Sequence, residues 1–432
     1  MSAGGRLVTV REWQAVPYAV LGDPFVSALE GVTRRIGGRP FLFSRDALQA
    51  TRFVGAVRIG DTTLQVLPKG DRSDADALGA LVHMLRITRE LTLRPTGRAG
   101  LSVAGGSLLE VWAWHFADTL NGLLRRDLRR DYVVVEERTQ FLRGRLLVQQ
   151  MTTGREALTG AYPCRYRMFT SDHLLNRILR RSNKLVGRAT AAERTLRVLR
   201  ENDALLSNAA DVEVRAADVD RVHLDRLNRA YEPILDWCRL VLSNTTPDLR
   251  MGATEHLAFL FDMDRLFEQF VATFLRTHAS HIALPWGRPL DGVHPQRVLG
   301  RLFGGLPMTV DIVLRDAEGR ALLVDTKNKV LDGRPGRDDL YQMYAYGRAA
   351  DRPCDDVLLL YPRTHRGRAD LEQAAPLEHS GLRLYPRRLD LGAMYDAASG
   401  ATDVGAMVDE FNRVLATCAV DRDPSVGSRD GA

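Results

Sequence analysis

The stretch MTVDIVLRDAEGRALLVDTKNK, residues 308–329, decides the fold because it predicts two apolar strands that carry charge. MTVDIVL and ALLVDTK are rich in β-favouring residues and flank the turn-forming DAEGR, so the pattern predicts an antiparallel hairpin. If the hairpin is symmetric about Glu318, Asp311 and Asp325 face each other with Cβ atoms roughly 5 Å apart. Side chains alternate along a strand, so Lys327 shares a face with Asp325. Two carboxylates and one lysine are therefore expected to converge.

Opposed carboxylates destabilise a hairpin unless something compensates their charge. Mg²⁺ would do so, since it takes one or two protein carboxylates and fills its other positions with water and substrate phosphate. A bound metal lowers the pKa of water and polarises a phosphate, and a lysine can orient that water or stabilise developing charge. Although a bare D-x-K is common in ordinary hairpins, the predicted register favours a Mg²⁺ site with Asp311 and Asp325 as ligands and Lys327 as a catalytic residue.

Lysine is rare in this chain, which supports that interpretation. Only four of the 60 Lys and Arg residues are lysines, and two of the four, Lys327 and Lys329, lie in VDTKNK. Arginine replaces lysine wherever a generic positive charge suffices, but its planar guanidinium cannot act as a compact, deprotonable donor. A lysine that persists here is therefore a candidate for a role that arginine cannot fill.

Two flanking segments predict helices that extend the site. EHLAFLFDMDRLFEQFVATFLR, residues 255–276, has an apolar helical stripe with Glu268 at its edge, a candidate third metal ligand or an ordinary exposed glutamate. In RDDLYQMYAYGRA, residues 337–349, Gln342 and Tyr346 share a helical face. With the strand-like DVLLLYP that follows, the order α-β-β-α-β predicts an α/β sandwich with a mixed sheet.

Length and composition predict a folded chain of more than one domain. The chain has 432 residues, of which 45% are hydrophobic and 26% charged, and its net charge of +6 permits a polyanionic partner without proving one. It shows no signal-peptide h-region and no apolar run of about eighteen residues, so we expect a cytoplasmic protein without membrane spans. We predict an α+β domain over 1–150, a mainly helical connecting region over 151–247, an α/β domain over 248–418 and a disordered tail over 419–432.

The order of a helix with glutamate, a strand with aspartate, a strand ending in D-x-K and a helix with Q-x-x-x-Y resembles the PD-(D/E)xK nuclease superfamily. Over roughly residues 50–365 the chain more narrowly resembles the McrC family, the nuclease subunits of McrBC-type modification-dependent restriction systems. Val310 stands where the superfamily name has proline, and Asn328-Lys329 replaces an aromatic pair often found after the lysine. The segments that carry the resemblance are FVGAVRIGDTTLQVLPK, FLRGRLL, FTSDHLLNRIL, MDRLFEQFV, VDIVL, LLVDTKNK and DLYQMYAYG.

The resemblance implies a C-terminal PD-(D/E)xK nuclease fold that cleaves modified, methylcytosine-type foreign DNA. It implies that Asp311, Asp325 and Glu268 hold Mg²⁺, that Lys327 is the catalytic lysine and that Gln342 supports catalysis. It also implies a hetero-oligomeric complex in which the N-terminal half binds and stimulates an McrB-like AAA+ GTPase. No lysine of this chain stands in a G-K-[ST] sequence, so a Walker A motif is absent and energy for translocation would come from the partner.

Two alternatives stay open at the level of sequence. One is a nuclease-inactive adaptor that only activates the AAA+ partner, against which the intact Asp311, Asp325 and Lys327 argue. The other is a free-standing, RecB-like repair nuclease, which the N-terminal domain of about 150 residues disfavours.

Overall fold

The structure is a computed structural model that describes most of the chain. The described residues are 6–36, 38–70, 73–88, 107–151, 158–226, 228–248, 254–301, 307–331, 334–349, 356–363, 377–379, 382–393, 395–396 and 401–418. The disordered tail predicted for residues 419–432 lies outside them.

Strands and helices alternate along the described chain. The strands are β1 (Arg6–Arg11), β2 (Ala15–Pro17), β3 (Phe41–Phe43), β4 (Ala47–Ala50), β5 (Phe53–Ile59), β6 (Thr62–Leu67), β7 (Asp131–Thr139), β8 (Arg145–Leu146), β9 (Tyr162–Thr170), β10 (Thr245–Asp248), β11 (Thr254–Asp262), β12 (Gly292–Arg301), β13 (Pro307–Arg315), β14 (Ala321–Thr326), β15 (Asp356–Pro362), β16 (Leu377–His379), β17 (Leu382–Leu389), β18 (Tyr395–Asp396) and β19 (Ala401–Thr402).

The α-helices are α1 (Tyr18–Leu21), α2 (Asp23–Ile36), α3 (Asp74–Ile87), α4 (Leu108–Arg126), α5 (Leu174–Ala189), α6 (Glu193–Leu205), α7 (Ala216–Val219), α8 (Glu232–Asn244), α9 (Met263–Thr277), α10 (Arg337–Ala349) and α11 (Val404–Ala416). Short 3₁₀ turns occupy Val148–Gln150, Arg229–Tyr231 and Ala279–His281.

The chain folds into two compact units that do not follow its order. One unit, here the helical unit, takes most of its described residues from 109–259. The other, here the sheet unit, joins residues 6–57 and 62–88 to residues 260–418. The boundaries expected at residues 150, 247 and 418 follow the order of the chain, whereas the sheet unit combines an N-terminal and a C-terminal part.

The sheet unit is built on a mixed six-stranded sheet with strand order β12-β13-β14-β15-β17-β16. The pairs β12–β13, β13–β14 and β16–β17 are antiparallel, whereas β14–β15 and β15–β17 are parallel. The predicted mixed α/β fold is confirmed, but the order from α9 to β15 is α-β-β-β-α-β, one strand more than predicted. The outer strand β12, which pairs with β13, was not expected from the sequence.

The burial of this sheet explains why the sequences of its strands are continuous apolar runs. Every residue of β15 is buried, and so are five of the six residues of β14, which requires cover on both faces. On one face Met343 and Tyr346 of α10 join the apolar residues of β13, β14, β15 and β17. Elsewhere in the unit the rings of Phe274 in α9 and Phe411 in α11 stack at 5.2 Å. The hairpin that carries the charged residues is therefore held in a rigid core.

The N-terminal part of the sheet unit contributes β1, β5 and β6. β1 pairs with β6 in parallel, and β6 neighbours β5 across the Gly60-Asp61 turn. Helix α3 follows with Ser73 as its N-cap, since the Ser73 hydroxyl accepts the Asp76 amide. These elements bring residues 11–13 and Lys69 to the end of β1 and β6.

The helical unit contains α4 to α8 and a long hairpin formed by β7 and β9. Its core includes the buried side chains Trp112, Phe116 and Trp237, and buried Asn202 joins α6 to α4 by donating to the Ala117 carbonyl at 3.0 Å. Within residues 151–247, which were expected to be mainly helical, the structure has helices α5 to α8 and also strand β9. Among the described helices, none combines the length and the apolarity needed to cross a bilayer.

Candidate active site

The β13–β14 hairpin sets the geometry of the site. Its register pairs Ile312 with Val324 and Leu314 with Leu322, which is the predicted symmetry about Glu318. Asp311 and Asp325 are the next positions along the two strands. One Asp311 carboxylate oxygen accepts both the main-chain amide and the hydroxyl of Thr326, each at 2.8 Å. The predicted opposition of the two aspartates is therefore confirmed, and Thr326 fixes the orientation of the first.

Asp325 is a buried carboxylate without hydrogen-bond donors. Only 1% of the residue is exposed, and among the described residues neither carboxylate oxygen has a partner with hydrogen-bond geometry. Burial raises the pKa of Asp325, the charge of Asp311 raises it further, and Lys327 offsets part of the shift. A buried anion of this kind costs free energy unless another group binds it. The two oxygens of Asp325 are thus suited to receive a cation.

Lys327 lies between Asp325 and Gln342. Its Nζ lies 2.5 Å from Oδ2 of Asp325, an ion pair by distance that lacks hydrogen-bond angles, and it donates to Oε1 of Gln342 at 2.9 Å. The Gln342 amide in turn donates to the Tyr346 hydroxyl at 2.6 Å. Burial lowers the pKa of Lys327, but the neighbouring carboxylates raise it by more, so the ammonium stays charged. The shared face predicted for Gln342 and Tyr346 serves to orient this lysine.

Glu268 approaches the same site from α9. It is half-buried, and burial together with the charge of Asp311 raises its pKa above the ordinary value. Gln296 of β12 donates to the Glu268 carboxylate through its side-chain amide. Gln296 has a φ of +50°, an uncommon conformation for a residue with a side chain. The structure brings Glu268 near Asp311, as the sequence suggested, and adds Gln296 as its partner.

A second lysine of the motif has a different role. Lys329 Nζ lies 3.0 Å from Asp339 Oδ1 at the start of α10, and the Lys329 side chain is 63% exposed. The Tyr361 hydroxyl donates to the other oxygen of Asp339 at 3.4 Å. Lys329 therefore ends in a partly solvated ion pair, whereas Lys327 contacts the buried carboxylate directly.

Sequence reasoning missed a buried network directly below the motif. Lys69 Nζ donates to the main-chain oxygen of Asn328 at 2.6 Å and lies 3.3 Å from Oε1 of Glu12. The Asn328 amide donates to the same Glu12 oxygen at 3.0 Å, and the Glu12 side chain has no exposed surface. The network fixes the residue after Lys327. The scarcity of lysine could have revealed Lys69, because three of the four lysines line one cleft.

An open cleft of about 850 Å³ in the sheet unit is lined by Glu268, Asp311, Lys327, Lys329 and Gln342. Its lining contains five cationic side chains, Arg52, Lys69, Arg265, Lys327 and Lys329, and five acidic ones, Asp262, Asp264, Glu268, Asp311 and Asp339. The charges balance, so without a bound cation the cleft offers a polyanion little net attraction.

The carboxylates suit a Mg²⁺ ion that takes few protein ligands. Within the described residues no three His, Cys, Asp or Glu side chains are arranged to hold one metal. Mg²⁺ commonly binds one or two carboxylates and keeps several waters. The carboxylates of Asp311 and Asp325, on neighbouring strands, fit that donor set, with Lys327 beside them.

Comparison with known proteins identifies the family. Residues 48–362 match the family described as McrBC 5-methylcytosine restriction system component. The chain belongs to the McrBC family. No curated protein matches this McrBC-family chain.

A solved structure of low sequence identity shares its fold. A chain in the refined half-complex from the tetradecameric assembly of Thermococcus gammatolerans McrB AAA+ hexamers with bound McrC superposes with a TM-score of 0.66 at 19% identity, covering 95% of this chain and 100% of that one. A chain in the cryo-EM structure of the Thermococcus gammatolerans McrBC complex gives a TM-score of 0.48 at 21% identity, over 62% of this chain and 87% of that one. The first of these supports a common fold.

Proposed function

We propose that this chain is the Mg²⁺-dependent DNA endonuclease subunit of a two-component McrBC-like restriction system. The observation that carries the proposal is the buried Asp325 carboxylate, which has the charge of Asp311 beside it and the Lys327 ammonium at 2.5 Å. Family membership supports 5-methylcytosine-containing DNA as the substrate. A restriction system acts on DNA that enters the cell, so the proposal assigns the chain to the cytoplasm. The C-terminal α-β-β-α-β segment would be a PD-(D/E)xK nuclease fold.

In the proposed reaction Asp311 and Asp325 would hold the ion, and Glu268 would add negative charge near Asp311. A bound Mg²⁺ would polarise the scissile phosphate and lower the pKa of a water. Lys327 then stabilises the negative charge that develops on the phosphate, because its ammonium is kept charged by the carboxylates and aimed by Gln342. Water adds to phosphorus as the bond to the leaving oxygen breaks. Thr326 holds Asp311 in place throughout.

The proposed partner is an McrB-like AAA+ GTPase, which this chain would bind and stimulate. The T. gammatolerans relative of similar fold is bound to McrB AAA+ hexamers. In this chain the β7–β9 region offers a surface for such a partner. Nine of the eighteen exposed large hydrophobic side chains of the described residues lie between residues 132 and 169. Exposed apolar patches of this extent mark interaction surfaces.

Cleavage of methylated and unmethylated plasmid, with the co-encoded AAA+ protein, nucleotide and either Mg²⁺ or EDTA, tests the proposal. We expect wild type and the surface control Asp409→Asn to cut methylated plasmid only with Mg²⁺, partner and nucleotide. Asp325→Asn and Lys327→Ala should lose about 1,000-fold in rate, because metal and charge stabilisation contribute several kcal/mol.

The outcomes separate the alternatives. Cutting by Asp325→Asn at the wild-type rate would show that the site is misassigned. If nothing cuts while every variant stimulates the partner's nucleotide hydrolysis, the chain is an adaptor. Cutting without partner or nucleotide would favour a free-standing nuclease.

A further inference from the structure

Trp13 occupies a backbone position that ordinarily belongs to glycine. The Gln14 amide donates to the Arg11 carbonyl at 3.0 Å, which closes a turn with Trp13 as its third residue. Trp13 has a φ of +65°, and the third position of such a turn normally takes glycine or asparagine because a side chain there is strained. A tryptophan at this position is therefore costly to the folded state.

The turn is held rigidly. The Trp13 amide donates to the Ala50 carbonyl at 3.0 Å, and the Gln49 side chain donates to the Trp13 carbonyl at 3.0 Å. The preceding residue, Glu12, is anchored in the buried network with Lys69 and Asn328. The indole thus extends from a fixed base.

The Trp13 side chain faces the carboxylate cleft instead of the protein core. It is 51% exposed and lines the cleft together with Lys329 and Val330, and Val330 is exposed to the same extent. Strained residues cluster at functional sites, where the strain is retained because the conformation is used. Of the three non-glycine residues with positive φ among those described, Trp13 lines this cleft and Gln296 bonds Glu268.

We propose that Trp13 is a stacking platform for a nucleobase of the DNA strand bound in the cleft. The proposal rests on the proposed nuclease function and states how that site binds its substrate. An aromatic face beside cationic side chains is the combination with which proteins bind single-stranded nucleic acid. Arg52, Arg265 and Lys329 line the same cleft and suit the backbone phosphates.

Stacking on an indole requires a base whose face is accessible. Bases inside a duplex are stacked on their neighbours, so Trp13 engages a base that is unpaired or displaced. Because the acidic and cationic side chains of the cleft balance in number, we expect a divalent cation to strengthen this binding. The substrate class is therefore DNA with an unpaired base near the cleaved phosphate.

The test uses the full chain and a single-stranded oligodeoxynucleotide that carries 2-aminopurine, whose fluorescence falls on stacking. Ca²⁺ replaces Mg²⁺, since its flexible coordination suits an oxygen site, and a gel verifies that the probe stays intact. We expect wild type to quench the probe and Trp13→Phe to quench it partly. Trp13→Gly should abolish quenching and weaken binding about 5- to 100-fold. Leu42→Ala, which trims an exposed apolar side chain outside the cleft, should change binding less than about twofold.

Stability distinguishes this role from a structural one. Glycine suits the φ of this turn, so the melting temperature of Trp13→Gly should equal or exceed that of wild type. A lower melting temperature with unchanged quenching would overturn the stacking role. So would unchanged DNA binding with reduced stimulation of the AAA+ partner, which would make Trp13 a protein-docking residue. If Trp13→Gly binds DNA normally while Asp325→Asn still abolishes cleavage, the stacking proposal fails and the nuclease proposal stands. No binding by wild type in Ca²⁺ removes the stacking role whatever the cleavage assay shows.

Discussion

Two hairpins of this chain depart from the ordinary burial rule in opposite directions. The β13–β14 hairpin of the sheet unit buries a carboxylate, Asp325, without hydrogen-bond donors. The β7–β9 hairpin of the helical unit exposes aromatic side chains, and the rings of Tyr132 and Phe169 face each other on the two strands with centroids 5.0 Å apart. Neither arrangement is explained by the stability of the folded chain alone.

The difference indicates what kind of partner each hairpin binds. The buried Asp325, next to the charge of Asp311, suits a small cation in addition to its contact with Lys327. Exposed aromatic rings on a long hairpin suit a protein surface, which can cover them. Gly144 shows that the second hairpin is itself closely built, since a Cβ there would collide with the Arg165 main-chain oxygen. Both departures therefore indicate function in a well-defined fold.

The largest expected effect separates the two lysines of the first hairpin. Lys327→Arg should reduce the cleavage rate about 100-fold, because a planar guanidinium cannot occupy the point between Asp325 and Gln342. Lys329→Arg is the matched control, since the exposed Lys329 side chain pairs with Asp339 near solvent. Its rate should stay within about threefold of wild type. Single-turnover cleavage with saturating partner measures both. Equal losses in the two variants would show that the buried position of Lys327 has no special role.

A second prediction compares two buried carboxylates of the sheet unit, Glu12 and Asp325. Glu12 is a buried carboxylate like Asp325, but its partners Lys69 and Asn328 satisfy it. Glu12→Gln should lower the free energy of unfolding by about 2 kcal/mol, because it leaves the Lys69 ammonium poorly compensated. Glu318→Gln, on an exposed turn, should change it by less than about 0.5 kcal/mol. Urea denaturation measures both. In contrast, Asp325→Asn should destabilise the fold less than Glu12→Gln, since loss of the ion pair with Lys327 is offset by removal of the repulsion from Asp311. A loss as large as that of Glu12→Gln would erase the distinction.

A third prediction tests the exposed hairpin. Phe141 and Leu142, in the connection between β7 and β8, are 70% and 68% exposed. The double change to serine should weaken binding of the AAA+ partner about tenfold and leave thermal stability unchanged, because these side chains are not packed in the folded chain. Leu42→Ser, an exposed leucine of the sheet unit, is the control and should bind normally. Titration of labelled partner measures the affinity. Unchanged affinity in the double variant would assign the partner surface elsewhere.

The first hairpin could be predicted from the sequence because its information is local. Asp311, Asp325 and Lys327 lie within one short stretch, and strand alternation with a symmetric turn fixes their relation. Helix periodicity likewise predicted that Gln342 and Tyr346 share a face. The resemblance to a known family then assigned roles that geometry alone does not assign.

The other contacts around the site could not be predicted, because they join residues that are distant in the sequence. Glu12 and Asn328 are 316 residues apart, and no local pattern indicates that they bond. Gln296 reaches Glu268 only because β12 pairs with β13, and the polar residues of β12 hid that strand. The exposure of β7 and β9 was equally hidden, because their apolar residues resemble those of a buried strand.

The smallest effect concerns His83, a buried titratable residue of α3 that the proposed mechanism does not use. Arg86 Nη2 lies 3.2 Å from His83 Nδ1, and arginine only donates, so Nδ1 accepts and the imidazole is neutral. Burial and the charge of Arg86 lower the pKa of His83 to about 3, from an ordinary 6.5. Between these two pKa values the unfolded chain binds a proton that the folded chain excludes. The contribution of neutral His83 to stability is therefore fully present above about pH 6.5 and is lost as the pH falls toward 3. At pH 6.0 this residue alone should cost about 0.8 kcal/mol relative to pH 8.0.

His83→Gln, which keeps an acceptor for Arg86, should reduce the pH-dependent difference in the free energy of unfolding by that amount, whereas the exposed His281→Gln should not change it. Urea denaturation at the two pH values measures the difference. If His83→Gln leaves the difference intact, the titration arises elsewhere. A reduced difference with normal cleavage would show that burial shifts the pKa of His83 without a role in the reaction, in contrast to Asp325, whose pKa is also raised by a second carboxylate.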